Sequence, residues 1–367
     1  MVTDDILISA LLQPRCYPHE VSHLQLVETH ISWVILTGDY AYKLKKPVNF
    51  GFLDFSSLEK RHFYCQEELR LNRRLAPELY LEVVAITGSR ESPALAGPGG
   101  VIEYAVKMQQ FTQSQQLDHV LDRDQLTGAQ VDAVAGFLAD FHQSVPSADP
   151  ASSFGEPEHV YQPVAENFVQ ILQQLPDEVH REDLAALEIW SRETFNALSA
   201  YIKKRKVDGF VRECHGDMHL RNIAWIDNRP LVFDCIEFNP NLYWIDVIND
   251  IAFLVMDLQD REQQRLAVRL LNVYLEWTGD YHGVKLLRFY LLYRAMVLAK
   301  VNAIRAGQTI AQAERQHAVQ DFDNYVKLGL DYINTGSPML IITHGLSGSG
   351  KSVVSAELAQ QLGAIRI

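Results

Sequence analysis

The stretch that decides the fold is "HGDMHLRN", residues 215–222, which is followed at Asp234 by an acid at the end of the apolar run "PLVF". Phosphoryl transfer from a nucleotide needs a carboxylate that orients the attacking hydroxyl group, and oxygen ligands that hold magnesium against the phosphates. Asp217, Asn222 and Asp234 supply those groups. Because this chemistry depends on positioning and charge neutralisation, the pattern predicts a phosphotransferase active site.

These residues closely resemble the catalytic loop and the metal-binding aspartate of aminoglycoside phosphotransferases and choline kinases, a family with the protein-kinase-like fold. The resemblance implies that Asp217 is the catalytic base, that His215 positions the loop, and that Asn222 and Asp234 bind Mg²⁺. It also implies ATP as the cofactor, with GTP as the alternative, and a small-molecule hydroxyl group as the phosphate acceptor.

The segment "DVINDIA", residues 246–252, resembles the family's segment D-P-x-x-D-L-A. The resemblance implies that Asp250 supports the catalytic loop through hydrogen bonds to its backbone, and His219 is assigned a supporting role in the same loop. Val247 stands where the family usually has proline, so the equivalence is weaker at that position.

A small mixed lobe is predicted over residues 1–110. Residues 31–48, "ISWVILTGDYAYKLKKPV", are two β-rich runs joined at Gly38-Asp39, a pair that favours a hairpin turn. Residues 57–76 follow with helical spacing and Ser57 as the N-cap, and two more strand-like runs complete the lobe.

Residues 111–333 are predicted to form a large helical lobe that carries the catalytic loop and the substrate site, so the fold class is α+β with two lobes. Helices are expected at 164–175, 181–206, 244–258, 261–277, 284–306 and 311–333. The apolar runs "IAWI" and "PLVFD" fit a small hairpin between them. The basic run at 201–206 is interpreted as a solvated helix end.

A kinase-like fold needs a strand lysine that pairs with the nucleotide phosphates and a helical glutamate that holds this lysine. Lys43, in Ala41-Tyr42-Lys43, matches the family's strand, and Lys45 on the same strand face remains the alternative. Glu68 is the predicted ion-pair glutamate, with Glu67 as the alternative.

Two further features concern the nucleotide. Residues 106–110, "VKMQQ", are the predicted hinge that contacts the adenine, represented by Met108. The stretch "LQLVETHISWV" before the lysine strand contains no glycine, whereas protein kinases have a glycine-rich loop there. Phosphate contacts are therefore not assigned to that stretch.

A second nucleotide motif lies at residues 345–352. Gly345, Gly350, Lys351 and Ser352 fit the P-loop pattern G-x-x-x-x-G-K-S, between a predicted buried strand in "MLIITHG" and a predicted helix. This arrangement resembles bacterial two-part proteins in which an aminoglycoside-phosphotransferase-like domain precedes a P-loop kinase-like ATPase domain. We expect residues 334–367 to be the first β-loop-α unit of an incomplete P-loop α/β domain.

Composition limits the function classes. The formal charge of −13 argues against a general nucleic-acid binder and would suit a cationic substrate. The four cysteines show no CxxC spacing, so no disulfide framework is predicted, and a zinc cluster of Cys214, His215, His219 and Cys235 is the weaker interpretation of a loop already explained otherwise. No run approaches the roughly 18 apolar residues of a membrane span, and the N-terminus lacks a signal-peptide pattern, so a cytoplasmic protein is expected.

Two hypotheses of different classes follow. The first is an ATP- and Mg²⁺-dependent phosphotransferase that acts on a hydroxyl group of a small molecule. The second is a nucleotide-binding regulatory module that serves a C-terminal P-loop ATPase domain. The acceptor and the oligomeric state have no signal in the sequence.

Overall fold

The structure, a computed structural model, describes residues 2–51, 53–175, 181–308, 311–334 and 339–367. The chain forms two compact units, the first made of Met1–Asp124 with Arg221–Pro240 and the second of Gln125–Leu220 with Asn241–Ile367. The division predicted at 1–110, 111–333 and 334–367 stays a prediction, and the predicted punctuation "TGSP" at 335–338 lies outside the described residues.

Strands and helices follow each other along both units. The described strands, in chain order, are β1 (Gln25–Glu28), β2 (Ser32–Leu36), β3 (Tyr40–Lys45), β4 (Tyr80–Gly88), β5 (Pro93–Leu95), β6 (Val101–Gln109), β7 (Val211–Glu213), β8 (Ile223–Ile226), β9 (Arg229–Val232) and β10 (Trp244–Asp246). The described α-helices are α1 (Val2–Leu11), α2 (Leu58–Asn72), α3 (Leu117–Asp122), α4 (Gly128–Ser144), α5 (Pro157–Gln174), α6 (Arg181–Val207), α7 (Pro240–Tyr243), α8 (Val247–Asp260), α9 (Gln264–Thr278), α10 (Val284–Gln308), α11 (Gln312–Ile333) and α12 (Lys351–Leu362).

The first unit is built on an antiparallel sheet with the strand order β1-β2-β3-β6-β4-β5. The predicted hairpin is confirmed, since β2 and β3 are joined by a short turn that contains Gly38. Lys43 pairs with Val34 on one side and with Val106 on the other. The lysine strand therefore lies inside the sheet, where both neighbouring strands fix its position.

Helix α2 packs on this sheet. The predicted cap is confirmed, because the Ser57 side chain accepts a hydrogen bond from the Lys60 N–H at 3.3 Å. Cys65, Leu69 and Val106 belong to one buried cluster between the helix and strands β4 and β6. That packing fixes which face of α2 points toward β3.

The second unit is mainly helical, as predicted. Helix α5 begins at Pro157 rather than at residue 164, and α8 begins at Val247 rather than at residue 244. Helix α8 is buried along almost its whole length and packs against α9 and α10. A helix that is apolar on most of its surface belongs in the centre of a helical core. Among the described residues, no helix is both long enough and apolar enough to cross a membrane.

The C-terminal segment corrects one expectation. The strand predicted in "MLIITHG", residues 339–345, is not formed, and its apolar side chains are exposed. A single strand has unpaired backbone groups unless another strand lies beside it, and none of the described strands does so here. Helix α12 is present and packs on α9, with the Asn272 Nδ2 donating to the Ala364 carbonyl at 3.0 Å.

Candidate active site

The first unit brings Lys43, Glu68 and Asp234 together. The Lys43 Nζ lies 2.8 Å from the Glu68 Oε1 and 2.5 Å from the Asp234 Oδ1. The lysine side chain is 13% exposed and the glutamate is fully buried. Burial alone would lower the pKa of the ammonium group, but the charges of Asp234 and Glu68 outweigh it and raise the pKa of Lys43 well above its usual range.

Lys45, the alternative lysine, contacts the same glutamate. Its Nζ lies 2.7 Å from the Glu68 Oε2, and it also forms an ion pair with Glu237. Strand alternation places both lysines on the face toward α2, so a single carboxylate binds both. Glu67, the alternative glutamate, instead pairs with Arg70 at 2.9 Å on the surface of the helix.

The carboxylates of Glu68, Glu237 and the half-exposed Asp234 surround two ammonium groups, so the cluster has one more acid than base. The pKa of Glu68 is lowered, because the two lysines outweigh the effect of burial. The pKa of Glu237 is raised, because burial and the charge of Glu68 outweigh Lys45. Such opposed shifts are typical of functional charge clusters.

The backbone around Asp234 is fixed from several sides. Asp234 has a left-handed backbone with φ of 63°, which costs a non-glycine residue free energy. Its N–H donates to the Tyr80 hydroxyl at 3.1 Å, and the next N–H, of Cys235, donates to the Asn72 Oδ1 at 2.9 Å. The Asn72 Nδ2 in turn donates to the Glu68 carbonyl at 2.8 Å. Helix α2 therefore positions both the glutamate and the chain at Asp234.

Asn222 and Asp234 lie at the same end of the predicted hairpin, which is confirmed as β8 and β9. Ile223 pairs with Val232, and the Phe233 N–H donates to the Asn222 carbonyl at 2.9 Å. An amide oxygen and a carboxylate are ligands that Mg²⁺ accepts, so the donor set fits this metal. The Asp234 Oδ1 is the atom that Lys43 contacts in this structure.

A cleft with a volume of about 640 Å³ lies in the same unit. Residues 109–115 line it together with Ile226 and Leu231. The predicted hinge at 106–110 stays a prediction; β6 continues through Gln109, and the connecting segment begins one residue later. Met108 lies within β6, where it packs against the core cluster of α2.

The turn between β1 and β2 stands where kinases have the glycine-rich loop. Here the Thr29 Oγ1 accepts hydrogen bonds from the backbone N–H groups of Ile31 at 3.3 Å and Ser32 at 2.9 Å. A glycine-rich loop binds phosphates with such N–H groups, whereas this turn uses them internally. The N–H groups of Ile31 and Ser32 are therefore already used within the turn.

The predicted catalytic loop, residues 215–220, lies in the second unit. The Asp217 N–H donates to the His215 Nδ1 at 3.1 Å, and the His219 Nε2 lies 3.2 Å from the Asp217 Oδ2. Burial works against the charge of Asp217, but His219, followed by His215 and Arg294, lowers its pKa to about 2. Asp217 is therefore a carboxylate at neutral pH.

Asp250 holds the backbone of this loop. Its carboxylate accepts hydrogen bonds from the N–H groups of His215 at 3.0 Å and Gly216 at 2.9 Å. The His142 Nε2 lies 3.1 Å from the same carboxylate. Burial opposes the charge, yet these partners lower the pKa of Asp250. His142, Cys214 and Asp250 form a close group of potential metal ligands. The Asp250 carboxylate, however, already accepts hydrogen bonds from the loop backbone.

Sequence reasoning missed several supporting residues of the loop. Asp257 accepts the Leu220 N–H at 2.8 Å, and the Arg294 Nη1 donates to the Gly216 carbonyl at 2.8 Å. Asp257 had a usable signal, because it lies seven residues after Asp250 on the same face of α8. Arg294 and His142 had none, since each lies on a distant helix.

The P-loop residues have a different environment. The Lys351 Nζ donates to the carbonyl groups of Gly345 at 2.9 Å and Leu346 at 2.6 Å in its own loop. Gly350 precedes α12 with φ of 79°, and the Ser352 carbonyl accepts from the Arg366 Nη1 at 3.0 Å. No carboxylate among the described residues pairs with Lys351.

Comparisons with known proteins give a consistent result. A sequence model of the family described as "Phosphotransferase enzyme family" matches residues 55–287, more than half of the chain, from before Glu68 to beyond the catalytic loop. Proteins of Mycobacterium bovis and Mycobacterium tuberculosis, described as uncharacterized, are 29% identical over 352 residues, which is 95% of this chain and 68% of theirs.

Solved structures share the fold. A choline kinase from Cryptosporidium parvum is similar with a TM-score of 0.51 and 12% identity, covering 91% of this chain and 96% of that one. A choline/ethanolamine kinase family protein from Mesorhizobium loti is similar with a TM-score of 0.50 and 12% identity, covering 90% and 99%. The antiparallel sheet of the first unit and the helices of the second therefore form a protein-kinase-like fold.

Proposed function

Because the chain belongs to the phosphotransferase enzyme family, we propose that it transfers the γ-phosphoryl group of ATP to a hydroxyl group of a small molecule, with Mg²⁺ as the metal. The observation that carries the proposal is Lys43 between Glu68 and Asp234, at 2.8 and 2.5 Å. A strand lysine, a helical glutamate and an acid after a hairpin are the groups that position nucleotide phosphates and metal in kinase-like enzymes.

The nucleotide roles follow from these contacts. The cleft beside residues 109–115 is proposed to bind the adenine, and Lys43 the phosphates. Asp234 and Asn222 would hold Mg²⁺, which when bound neutralises charge on the phosphoryl oxygens. Lys43 and Asp234 must then give up part of their mutual contact, because each takes a new partner.

Asp217 is proposed to position the acceptor. Its side chain is 34% exposed, so a hydroxyl group can reach it. The acceptor oxygen forms a bond to the γ-phosphorus, the bond to the bridging oxygen of ADP breaks, and the hydroxyl proton passes to the Asp217 carboxylate. Because the pKa of Asp217 is low, its main contribution is to orient the hydroxyl group, and the proton transfers late.

The acceptor is proposed to be a small, cationic molecule, because the chain carries a formal charge of −13 and would attract cations. ATP is proposed as the phosphate donor rather than GTP, because the family implies the use of ATP. A cytoplasmic location is also proposed, since ATP is present there. Competition binding of ATP and GTP to the protein would show which nucleotide it prefers.

The P-loop at 345–352 is proposed to belong to a separate P-loop ATPase domain and to take no part in this reaction. The sequence motif and the helix α12 support a phosphate-binding loop. The regulatory alternative is less favoured, because the family match covers the catalytic loop and ends before the P-loop.

The function is tested by phosphate transfer from radiolabelled ATP to a panel of amino alcohols, aminoglycosides and sugars. We expect Asp217→Asn to lose turnover by about 10³-fold while it still binds MgATP, since general-base groups contribute about 10²–10⁴-fold. Lys351→Ala is the matched control and should keep full turnover. Turnover that survives Asp217→Asn but disappears with Lys351→Ala would refute the proposal.

A further inference from the structure

The carboxylate of Glu68 bridges two lysines, and each lysine binds a different residue of the segment 234–237. Lys43 contacts Asp234, whereas Lys45 contacts Glu237. The two lysines are not equivalent in their surroundings, since the side chain of Lys45 is only 2% exposed and lies between two buried carboxylates. Lys45 cannot turn toward a ligand without leaving the buried Glu237 without its lysine and Glu68 with Lys43 alone, which is unfavourable.

Nucleotide binding changes the two contacts differently. When Lys43 binds phosphate and Asp234 binds the metal, the direct link between β3 and Asp234 is weakened. The contact of Lys45 with Glu68 and Glu237 involves neither ligand, so it can persist. It is then the remaining ionic connection, among those described, from β3 to the segment that carries the metal-binding acid.

We propose that Lys45 is a positioning residue that holds Glu68 and Glu237 in place, so that Asp234 stays in position for Mg²⁺ when Lys43 turns to the phosphates. This inference rests on the proposed function. Lys43 is the phosphate ligand, and Lys45 acts through the position of the 234–237 segment. The N–H groups of Asp234 and Cys235 donate to the Tyr80 hydroxyl and the Asn72 Oδ1, which also limits the movement of this segment.

Calorimetric titration with adenosine, ATP in EDTA and MgATP separates these roles. The wild type should bind MgATP more tightly than metal-free ATP. Lys45→Met should reduce this enhancement by about tenfold or more, as loss of a residue supporting a metal ligand typically does, and leave the adenosine affinity within about twofold. Lys43→Met should instead lose the preference for ATP over adenosine. A purely structural role of Lys45 would weaken all three affinities together.

Lys45→Met leaves Glu237 buried without its lysine and could fail to fold, so the double variant Lys45→Met/Glu237→Gln is made beside it. The double variant removes both charges of the pair, while Glu68 keeps Lys43. We expect it to fold and still to lack the metal enhancement.

A second measurement needs no nucleotide. Cys235 is buried in the segment, while Cys16 is buried in a separate core cluster of the same unit. Pulsed thiol labelling, resolved by peptide mass spectrometry, compares each cysteine with its own wild-type rate. In the double variant we expect Cys235 to label about tenfold faster or more, with Cys16 unchanged, because loss of the Lys45–Glu237 contact makes local opening of the segment more frequent.

The outcomes are distinguishable. A wild type that binds MgATP, with a metal enhancement that Lys45→Met and the double variant retain in full, overturns the inference and leaves the proposed function standing. Loss of the preference for ATP over adenosine in Lys45→Met, with Lys43→Met unaffected, makes Lys45 the phosphate ligand and also overturns it. A wild type that does not distinguish ATP from adenosine contradicts the proposed function, and the inference with it.

Discussion

Two lysines in this chain carry sequence signals for phosphate binding, and their environments differ. Lys43 lies on an inner strand and is bound by acids from α2 and from the segment after β9. Lys351 follows a stronger motif, yet its ammonium group bonds to the carbonyl groups of its own loop. The strand expected to support that loop, at 339–345, is not formed.

The difference shows that a motif and a working site are separate properties. In a kinase-like fold, acidic groups hold the phosphate-binding lysine in position before the nucleotide arrives. Lys43 has them, because Glu68 and Asp234 come from different elements of one unit. Lys351 lacks an acidic partner among the described residues, and this contrast supports the proposal that Lys43, rather than Lys351, acts in the reaction.

The largest expected effect comes from removing the acid that both Lys43 and Lys45 share. Glu68→Gln should lower the free energy of unfolding by about 3–5 kcal/mol, because it removes the buried carboxylate that both lysines share and leaves each buried lysine with one acid. Glu67→Gln is the matched control one residue away, and its exposed pair with Arg70 contributes less than about 1 kcal/mol. Urea denaturation measures both. Equal losses of stability in the two variants would contradict the role of Glu68 as the shared partner of both lysines.

Replacing Lys43 and Lys351 separately with methionine tests the contrast between them directly. Lys43→Met should lower phosphoryl transfer by about 10²-fold or more, since it removes a charge that stabilises the transferred group. Lys351→Met should change the rate by less than about twofold. Steady-state kinetics with ATP give both values, and the reverse ranking would move the active site to the P-loop.

A third prediction concerns the catalytic loop. Asp250→Asn should lower the free energy of unfolding by about 2–3 kcal/mol, because a charged acceptor of two backbone N–H groups and His142 is replaced by an amide. Turnover should fall while the affinity for MgATP stays nearly constant. An unchanged rate would show that the loop keeps its shape without this acid.

Lowering the pH should destabilise the folded chain over a range set by the pKa values of Glu68 and Asp250. The pKa values of Glu68 and Asp250 are lowered in the folded chain, so their stabilisation is complete above the unfolded values of about 4.5 and 3.8 and is lost as pH falls through the lower folded values. We expect the free energy of unfolding to decrease from about pH 4.5 downward, by about 1.4 kcal/mol for each unit of lowered pKa. Glu68→Gln should show a shallower decrease in a series of urea denaturations.

The smallest effect is expected in the C-terminal segment. Arg366 forms an exposed ion pair with Glu276 on α9. Arg366→Ala should lower the free energy of unfolding by less than about 1 kcal/mol, since exposed pairs contribute little. Nucleotide affinity should be unchanged. A large loss of affinity for ATP would connect this segment to the active site.

Local signals predicted much of the fold. The β2–β3 hairpin followed from Gly38-Asp39, the start of α2 from its cap at Ser57, and the β8–β9 hairpin from two short apolar runs. Each depends on residues close in sequence, whose turn and capping preferences act locally. The proximity of Asn222 and Asp234 followed from the same β8–β9 hairpin, whereas the roles of Asp217 and Asp234 rest on the family resemblance and stay predictions.

Partners distant in sequence were not predictable. Glu237 lies 192 residues from Lys45, and no pattern in the chain connects them. The basic run at 201–206 was interpreted as solvated, and this is wrong for two residues, since Arg205 is buried against Asp246 and Asp280, and Lys206 pairs with Glu156. The charge of a run alone does not show which acids the fold will bring to it.

The most direct test of the central claim is a crystal structure of the full chain with Mg²⁺ and a non-hydrolysable ATP analogue. We predict that the γ-phosphate lies beside the Lys43 Nζ, with the metal on Asp234 and Asn222, and with Lys45 still bound to Glu68 and Glu237. Triphosphate density at Lys351 and none at Lys43 would contradict the account.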